Sequence, residues 1–165
     1  MMQRLLLPVC LLSVSLSDQI FAGSPQTKPQ GVKTAVIVYS PAIPLVGSSQ
    51  EVDPARLEGD YVVGDGLGCN LRVVLKANGK FDSMRIGCLG VCGVEAGDWR
   101  IDDKGIRLTA KTSDGALKNR PLTRLYLASF RHHYLLLQDE TVGCFKAVGP
   151  STSNSLHKVG SSEGS

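Results

Sequence analysis

A chain of 165 residues has room for one domain with appendages. Its 18 Lys and Arg against 15 Asp and Glu leave a formal charge of only +3. No basic stripe is interleaved with aromatics, which argues against a nucleic-acid surface.

The start of the chain reads as a secretory leader. Arg4 supplies the positive end, Leu5 to Leu16 is apolar, and Ser17 to Ala22 is a more polar cleavage region. A run of about a dozen apolar residues is too short to span a bilayer. Cleavage is expected after Ala22, with the tolerated but not small Ile20 two positions earlier. A lipid anchor on Cys10 is disfavoured, because Leu7-Pro8-Val9 puts no small residue before it. No later segment is long enough to cross a membrane, so a soluble protein outside the cytoplasm, secreted or periplasmic, is expected. Removing residues 1–22 takes away Cys10 and leaves Cys69, Cys88, Cys92 and Cys144. Arg4 and Asp18 cancel, so the charge stays at +3.

Residues 23–52 are rich in Pro, Ser, Gly and Thr and read as a linker. Within them Ala35-Val36-Ile37-Val38-Tyr39 is either a sticky stretch of tether, the favoured reading, or an extra strand. Such a strand would add to the domain's own edge or to a partner's sheet.

The domain is expected over residues 53–149. Asp53-Pro54 has the N-cap and first-turn chemistry of a short helical turn over Pro54 to Leu57. Tyr61-Val62-Val63 enters a strand, and Gly64 to Gly68 must be a loop, with three glycines in five residues. Asn70 to Ala77 follows as a strand with Leu71, Val73 and Leu75 on one face. Asn78-Gly79 predicts a type I′ hairpin turn. The apolar phase of the returning strand slips between Phe81 and the pair Met84 and Ile86, which predicts a bulge. Trp99 and Ile101 face inward on the next strand, Asp102 to Gly105 turns the chain, and Ile106, Leu108 and Ala110 line another. Lys111 to Arg120 reads as a polar loop. A second hairpin runs from Leu122 to Leu137, turning at His132-His133. A short C-terminal helix capped by Asp139 would put Val142, Phe145 and Val148 on one face before Gly149-Pro150. A strand over Thr141 to Val148 is the alternative. Residues 150–165 read as a disordered polar tail. About seven short strands joined by tight turns define a mainly β fold, a small antiparallel barrel or sandwich.

The series G-x-Y-x-x-G-D-G-L-G-x-N from Gly59 to Asn70, then N-G-x-F, G-C-L-G and G-x-W, resembles a pattern of exported bacterial β-domain proteins. The likeness extends through Arg124-Leu125-Tyr126-Leu127 and Cys144 to Val148. It covers roughly Leu57 to Gly149 and implies a lipocalin-like domain, without catalytic residues to carry over. Cys69 and Cys92 depart from the pattern, which raises the expectation that they pair.

Four cysteines in an oxidising compartment allow three pairings. The preferred one joins Cys69 to Cys92, stapling two glycine-rich loops, and Cys88 to Cys144. A metal site from Cys88-x-x-x-Cys92 with Cys69 or His132-His133 lacks the paired knuckles of strong zinc motifs. The Gly64–Asn70 loop is followed by a strand, not the helix a phosphate cradle needs. Asp60, Asp65 and Asn70 match no calcium loop. No nucleophile–base–orienter signature is present.

The expectation is therefore a secreted, non-enzymatic binding module that carries no cofactor. Its candidate binding residues are Tyr61, Asp65, Asn70 and Trp99, and its ligand a small apolar molecule at a barrel mouth. If Tyr61, Leu71, Val73, Phe81 and Trp99 fill the interior, the module must instead act through its surface. The alternative is an envelope-protein interaction module that uses residues 35–39 for strand addition.

Overall fold

The computed structural model describes residues 31–40, 43–64, 68, 70–131 and 133–159. The leader and Cys10, Asp65, Cys69 and His132 lie outside the described residues. The strands are β1 (Val32–Ser40), β2 (Ile43–Val52), β3 (Gly59–Val63), β4 (Asn70–Leu75), β5 (Lys80–Gly87), β6 (Gly90–Asp102), β7 (Gly105–Gly115), β8 (Arg124–Phe130), β9 (His133–Leu137) and β10 (His157–Lys158). Two helices accompany them, the single turn α1 (Ala116–Asn119) and α2 (Asp139–Val148).

The fold is mainly β. One sheet runs in the order β10-β3-β4-β5-β6-β7-β8-β1-β2, with β9 branching off against β8. This path is open at its ends. A single antiparallel bridge between Leu136 of β9 and Leu156, just before β10, links its two sides through backbone hydrogen bonds of 3.2 and 2.7 Å.

Residues 32–52 are not a linker. They form the hairpin β1–β2, and β1 also pairs in parallel with β8, Val36 opposite Leu127 and Val38 opposite Ser129. The physical reason is period-2 burial: Thr34 and Val36 point into the protein between exposed Lys33 and Ala35. The 35–39 run is thus a strand of the domain's own sheet, paired on both edges over Val36–Val38.

Pro54–Leu57 forms a 3-10 turn whose Asp53 Oδ1 accepts from Ala55 N at 2.9 Å, as the Asp-Pro pair predicts. The β4–β5 turn differs from expectation. Gly79 alone has positive φ (72°), its N–H bonds Lys76 O at 3.0 Å, and Lys76 N bonds Lys80 O at 2.9 Å. This is a three-residue loop with Gly79 in the left-handed position, not a two-residue type I′ turn that needs Asn78 there too.

The phase slip in β5 is not a bulge at Phe81–Met84. Phe81 and Ser83 stay on the buried face and Met84 lies on the opposite one. The register break comes later, between Arg85 and Ile86, where Cys92 is the extra residue of β6.

The expected polar loop 111–120 is largely structured. β7 continues to Gly115, and α1 buries Leu117 over Gly93, where a Cβ would stand 2.9 Å from Leu117 N. α2 forms as predicted, but Gln138 rather than Asp139 is its N-cap. Asp139 and Glu140 sit in the first turn, where the helix dipole favours acid. Phe145 faces inward with Val142 packed beside it, while Val148 is exposed.

The tail reading of 150–165 fails for its first ten residues. Asn154, Ser155 and Leu156 are buried, and His157–Lys158 pairs with β3. Short polar side chains build this segment: Asn154 Nδ2 donates to Gly149 O at 2.8 Å, and Asn154 Oδ1 accepts from Ser151 N at 2.8 Å.

Candidate functional site

The alternation of β3, β4 and β5 sends Tyr61, Leu71, Val73 and Phe81 to one side, and β6 adds Trp99. All five are buried in one continuous core with Val36, Ile106, Leu125 and Leu156. Tyr61 Oη donates to Leu57 O at 2.9 Å, and burial raises its phenol above the ordinary range. Trp99 Nε1 donates to Lys76 O at 2.9 Å while its backbone N bonds Gly79 O at 2.8 Å, so the indole braces the β4–β5 turn. Two of the four candidate binding residues are therefore packed core residues with satisfied polar atoms. Asn70 opens β4 and donates to Gly68 O at 3.3 Å. Asp65 lies outside the described residues.

Cys92 and Cys144 carry free, exposed thiols, so neither Cys69–Cys92 nor Cys88–Cys144 is formed. Cys92 sits on the bulge with its Sγ 3.4 Å from Arg85 O, and Cys88 lies in the β5–β6 turn. Cys144 sits on the exposed side of α2, which packs against β8. Among the described residues, no three His, Cys, Asp or Glu side chains converge as a metal-binding group.

One polar row crosses the buried face. Ser83 of β5, Glu95 of β6 and Ser113 of β7 are direct cross-strand partners. Glu95 is 2% exposed and Ser83 is 4% exposed. Leu122 N, on the segment joining α1 to β8, donates to Glu95 Oε2 at 3.1 Å. Glu95 Oε1, Ser83 Oγ and Ser113 Oγ are buried without a hydrogen-bond partner of full geometry. Loss of water raises the Glu95 carboxyl above its ordinary value, opposed by the Leu122 amide and the nearby Ser83 hydroxyl.

The opposite face of the same strands carries a groove of about 430 Å³. It is lined by Val74, Met84, Val94 and Ala96 on neighbouring strands, by Arg72, Asp82 and Thr112, and also by Ser83 and Glu95 of the polar row. Val94 is 43% exposed. Arg72 is tied to Asp60 through a bond of 2.9 Å from Nε, and Lys76 pairs with Asp82, so the rim charges are already compensated. Beyond the groove the β5–β6 turn presents Leu89, 105% exposed, and then Val91.

Two other clusters have structural explanations. Ser155 Oγ lies 3.1 Å from His157 Nε2, the spacing of a nucleophile and base. However, Ser155 Oγ donates to Ser151 O at 2.9 Å, and the same carbonyl lies 3.2 Å from His157 Nε2. The fully buried Ser155 hydroxyl is thus bonded to the Ser151 carbonyl, and the cluster ties the segment before β10 together. Asp102 is gripped by Arg124 at 2.5 and 2.8 Å, which drives its carboxyl far below the ordinary range. This pair ties the β6–β7 turn to β8.

Neither the groove nor the polar row was among the residues singled out from sequence. Their signal was the departure from clean alternation in β5 and β6. There, apolar Met84 and Val94 fall on the solvent side while Ser83 and Glu95 fall inside. No protein-family model, curated protein or solved structure matches this chain.

Proposed function

We propose that this protein is an exported, non-enzymatic β-module that binds a partner through the outer face of β4–β7. The carrying observation is that the two faces have exchanged expected roles. The interior that would hold a small apolar ligand is filled by Tyr61, Leu71, Val73, Phe81 and Trp99. The outer face holds the concave apolar surface instead, floored by Val74, Met84, Val94 and Ala96. A barrel-like, lipocalin-related form of the fold belongs to this proposal and is supported by the Leu136–Leu156 bridge. The leader at residues 1–22 supports export. Strand addition by residues 35–39 is disfavoured, since β2 and β8 occupy both edges of β1.

The test uses the apolar dye bis-ANS as a probe of the groove. Dye titration of the wild type is expected to give saturable binding that Val94→Lys and Met84→Glu each weaken at least tenfold. Val94 is exposed and Met84 lies outside the core, so both variants should keep the wild-type melting temperature. Equal binding by the variants, or no saturable binding by the wild type, overturns the proposal.

A further inference from the structure

Exposed apolar side chains are concentrated at one end of the sheet. Leu89 is 105% exposed, Val91 58% and Val94 43%, all on the hairpin of β5 and β6, whereas Val38, Val148 and Val159 lie elsewhere in the chain. A single exposed apolar residue is ordinary, but a run of them at one tip is not. From Ile86 to Val94 the sequence Ile-Gly-Cys-Leu-Gly-Val-Cys-Gly-Val carries no charge and no polar side chain beyond its two thiols. The hairpin also outruns its neighbours. Among the described residues, β4 last pairs with β5 at Asn70 and Ile86, and β7 ends at Gly115 opposite Gly93. The turn therefore stands in the open, where a Cβ at Gly90 would meet nothing within 4 Å. Its strands are paired to each other, Ile86 with Val91 and Gly87 with Gly90, and the Cys92 thiol is turned back onto Arg85 O at 3.4 Å.

We propose that the β5–β6 tip inserts into an anionic lipid surface, with Leu89 and Val91 entering the acyl region. This goes beyond the groove, which neither residue lines. The chemistry of the tip favours lipid over a protein partner. A protein is recognised by polar and charged side chains set around an apolar anchor. The tip offers glycines, valines and a leucine, with no such side chain to specify a partner. An acyl layer requires only apolar surface and a backbone whose polar groups are already paired. The dimensions agree. Cys88 in the turn lies three residues beyond Arg85. At about 3.3 Å per residue the turn stands roughly 10 Å past that cation, and apolar faces at a membrane interface sit about 5–10 Å deep. Charge sits where headgroups would meet it. Arg85 on β5 and Lys118 on α1, the turn that packs over Gly93, stand behind the apolar end, and Asp114 lies opposite Val94. Two cations less one acid leave a charge of +1 at that level. Anionic headgroups attract such a collar while the uncharged hairpin passes between them.

The test is sedimentation of the exported, leader-free protein with vesicles of phosphatidylcholine mixed with phosphatidylglycerol, and with vesicles of phosphatidylcholine alone. The wild type should bind the mixed vesicles and bind the neutral ones more weakly. Leu89→Asp should weaken binding by roughly tenfold or more, the effect of returning one leucine side chain to water. Val148→Asp makes the same kind of change at an exposed site on α2 and should bind as the wild type does. Leu89→Trp gives a second reading. Its added fluorescence should shift to the blue on the mixed vesicles and be quenched by brominated acyl chains, whereas the buried Trp99 of the wild type should not respond. Equal binding by Leu89→Asp and wild type, equal binding to the two kinds of vesicle, or an unquenched Leu89→Trp overturns the proposal. A wild type that ignores vesicles but self-associates in light scattering, with Leu89→Asp monomeric, gives the tip to a second copy and overturns it too. Saturable bis-ANS binding without vesicle binding leaves the groove standing and removes this inference. Vesicle binding without saturable dye binding does the reverse.

Discussion

Replacing Glu95 by glutamine should stabilise the protein at neutral and alkaline pH, against the usual expectation for a buried, hydrogen-bonded acid. The amide oxygen keeps the acceptor that Leu122 N uses at 3.1 Å. The amide nitrogen brings two N–H groups to the position of Oε1, beside the hydroxyls of its cross-strand neighbours Ser83 and Ser113. Each such bond is worth about 0.5–1.5 kcal/mol net, so the gain is about 1–3 kcal/mol where the wild-type carboxyl is ionised. Glu95→Ala takes the opposite course. It strands the Leu122 amide, which costs about 1–3 kcal/mol, and loses a buried methylene worth about 0.8 kcal/mol. The pH dependence carries its own sign. Glu95 titrates higher in the folded than in the unfolded chain, so its stabilising contribution is full below the unfolded value near 4.3 and is lost as pH rises through the folded value. The difference between wild type and Glu95→Gln should therefore be smallest at pH 4 and grow toward pH 8. Urea denaturation read by the single, buried Trp99 measures both. A Glu95→Gln protein less stable than the wild type at pH 8, or a constant difference across pH, would refute the reasoning.

Other consequences are equally direct. Asp102→Asn should cost about 1.5–3 kcal/mol at pH 7 by weakening the paired bonds from Arg124. Because the Asp102 carboxyl titrates far below its ordinary value, that loss should shrink as acid removes the wild-type contribution, seen in melts between pH 7 and pH 2. Val36→Ala should cost about 2 kcal/mol in urea titration if β1 belongs to the domain, and nothing if residues 23–52 were a tether. Leu156→Ala should cost about 2–5 kcal/mol by the same measurement, since its side chain is fully buried. Cys92 and Cys144 should both alkylate in the native, unreduced protein, as intact and peptide mass would show. Protection of either would restore a cross-link.

Much of the β domain was legible because local chemistry set it. Asp53-Pro54 marks its helical turn, Leu71, Val73 and Leu75 alternate cleanly, and Gly149-Pro150 ends α2. What sequence alone misplaced depends on distant partners. Val36 sits in a stretch bounded by prolines and serines, and only the parallel pairing with β8, ninety residues later in the chain, makes it core. The segment 151–158 has the composition of a tail, but its order comes from Asn154 and Ser155 bonding nearby carbonyls beneath a single apolar anchor, Leu156. The disulfide pairing came from cysteine count and compartment, and neither reports where a hairpin end and a helix stand in space. The two faces of β5 and β6 were also beyond local reading. Met84 and Val94 alternate with Ser83 and Glu95, so hydrophobicity alone assigns the wrong side to the core. Flanking strands decide it, because Phe81 and Trp99 must share one interior.

The most direct test of the binding surface is an amide-resolved NMR titration with bis-ANS. Shifts confined to Arg72, Val74, Met84, Val94, Ala96 and Thr112 are predicted. Shifts centred on Tyr61, Val73, Phe81 and Trp99 would place the ligand inside the sheet and contradict an outer-face module.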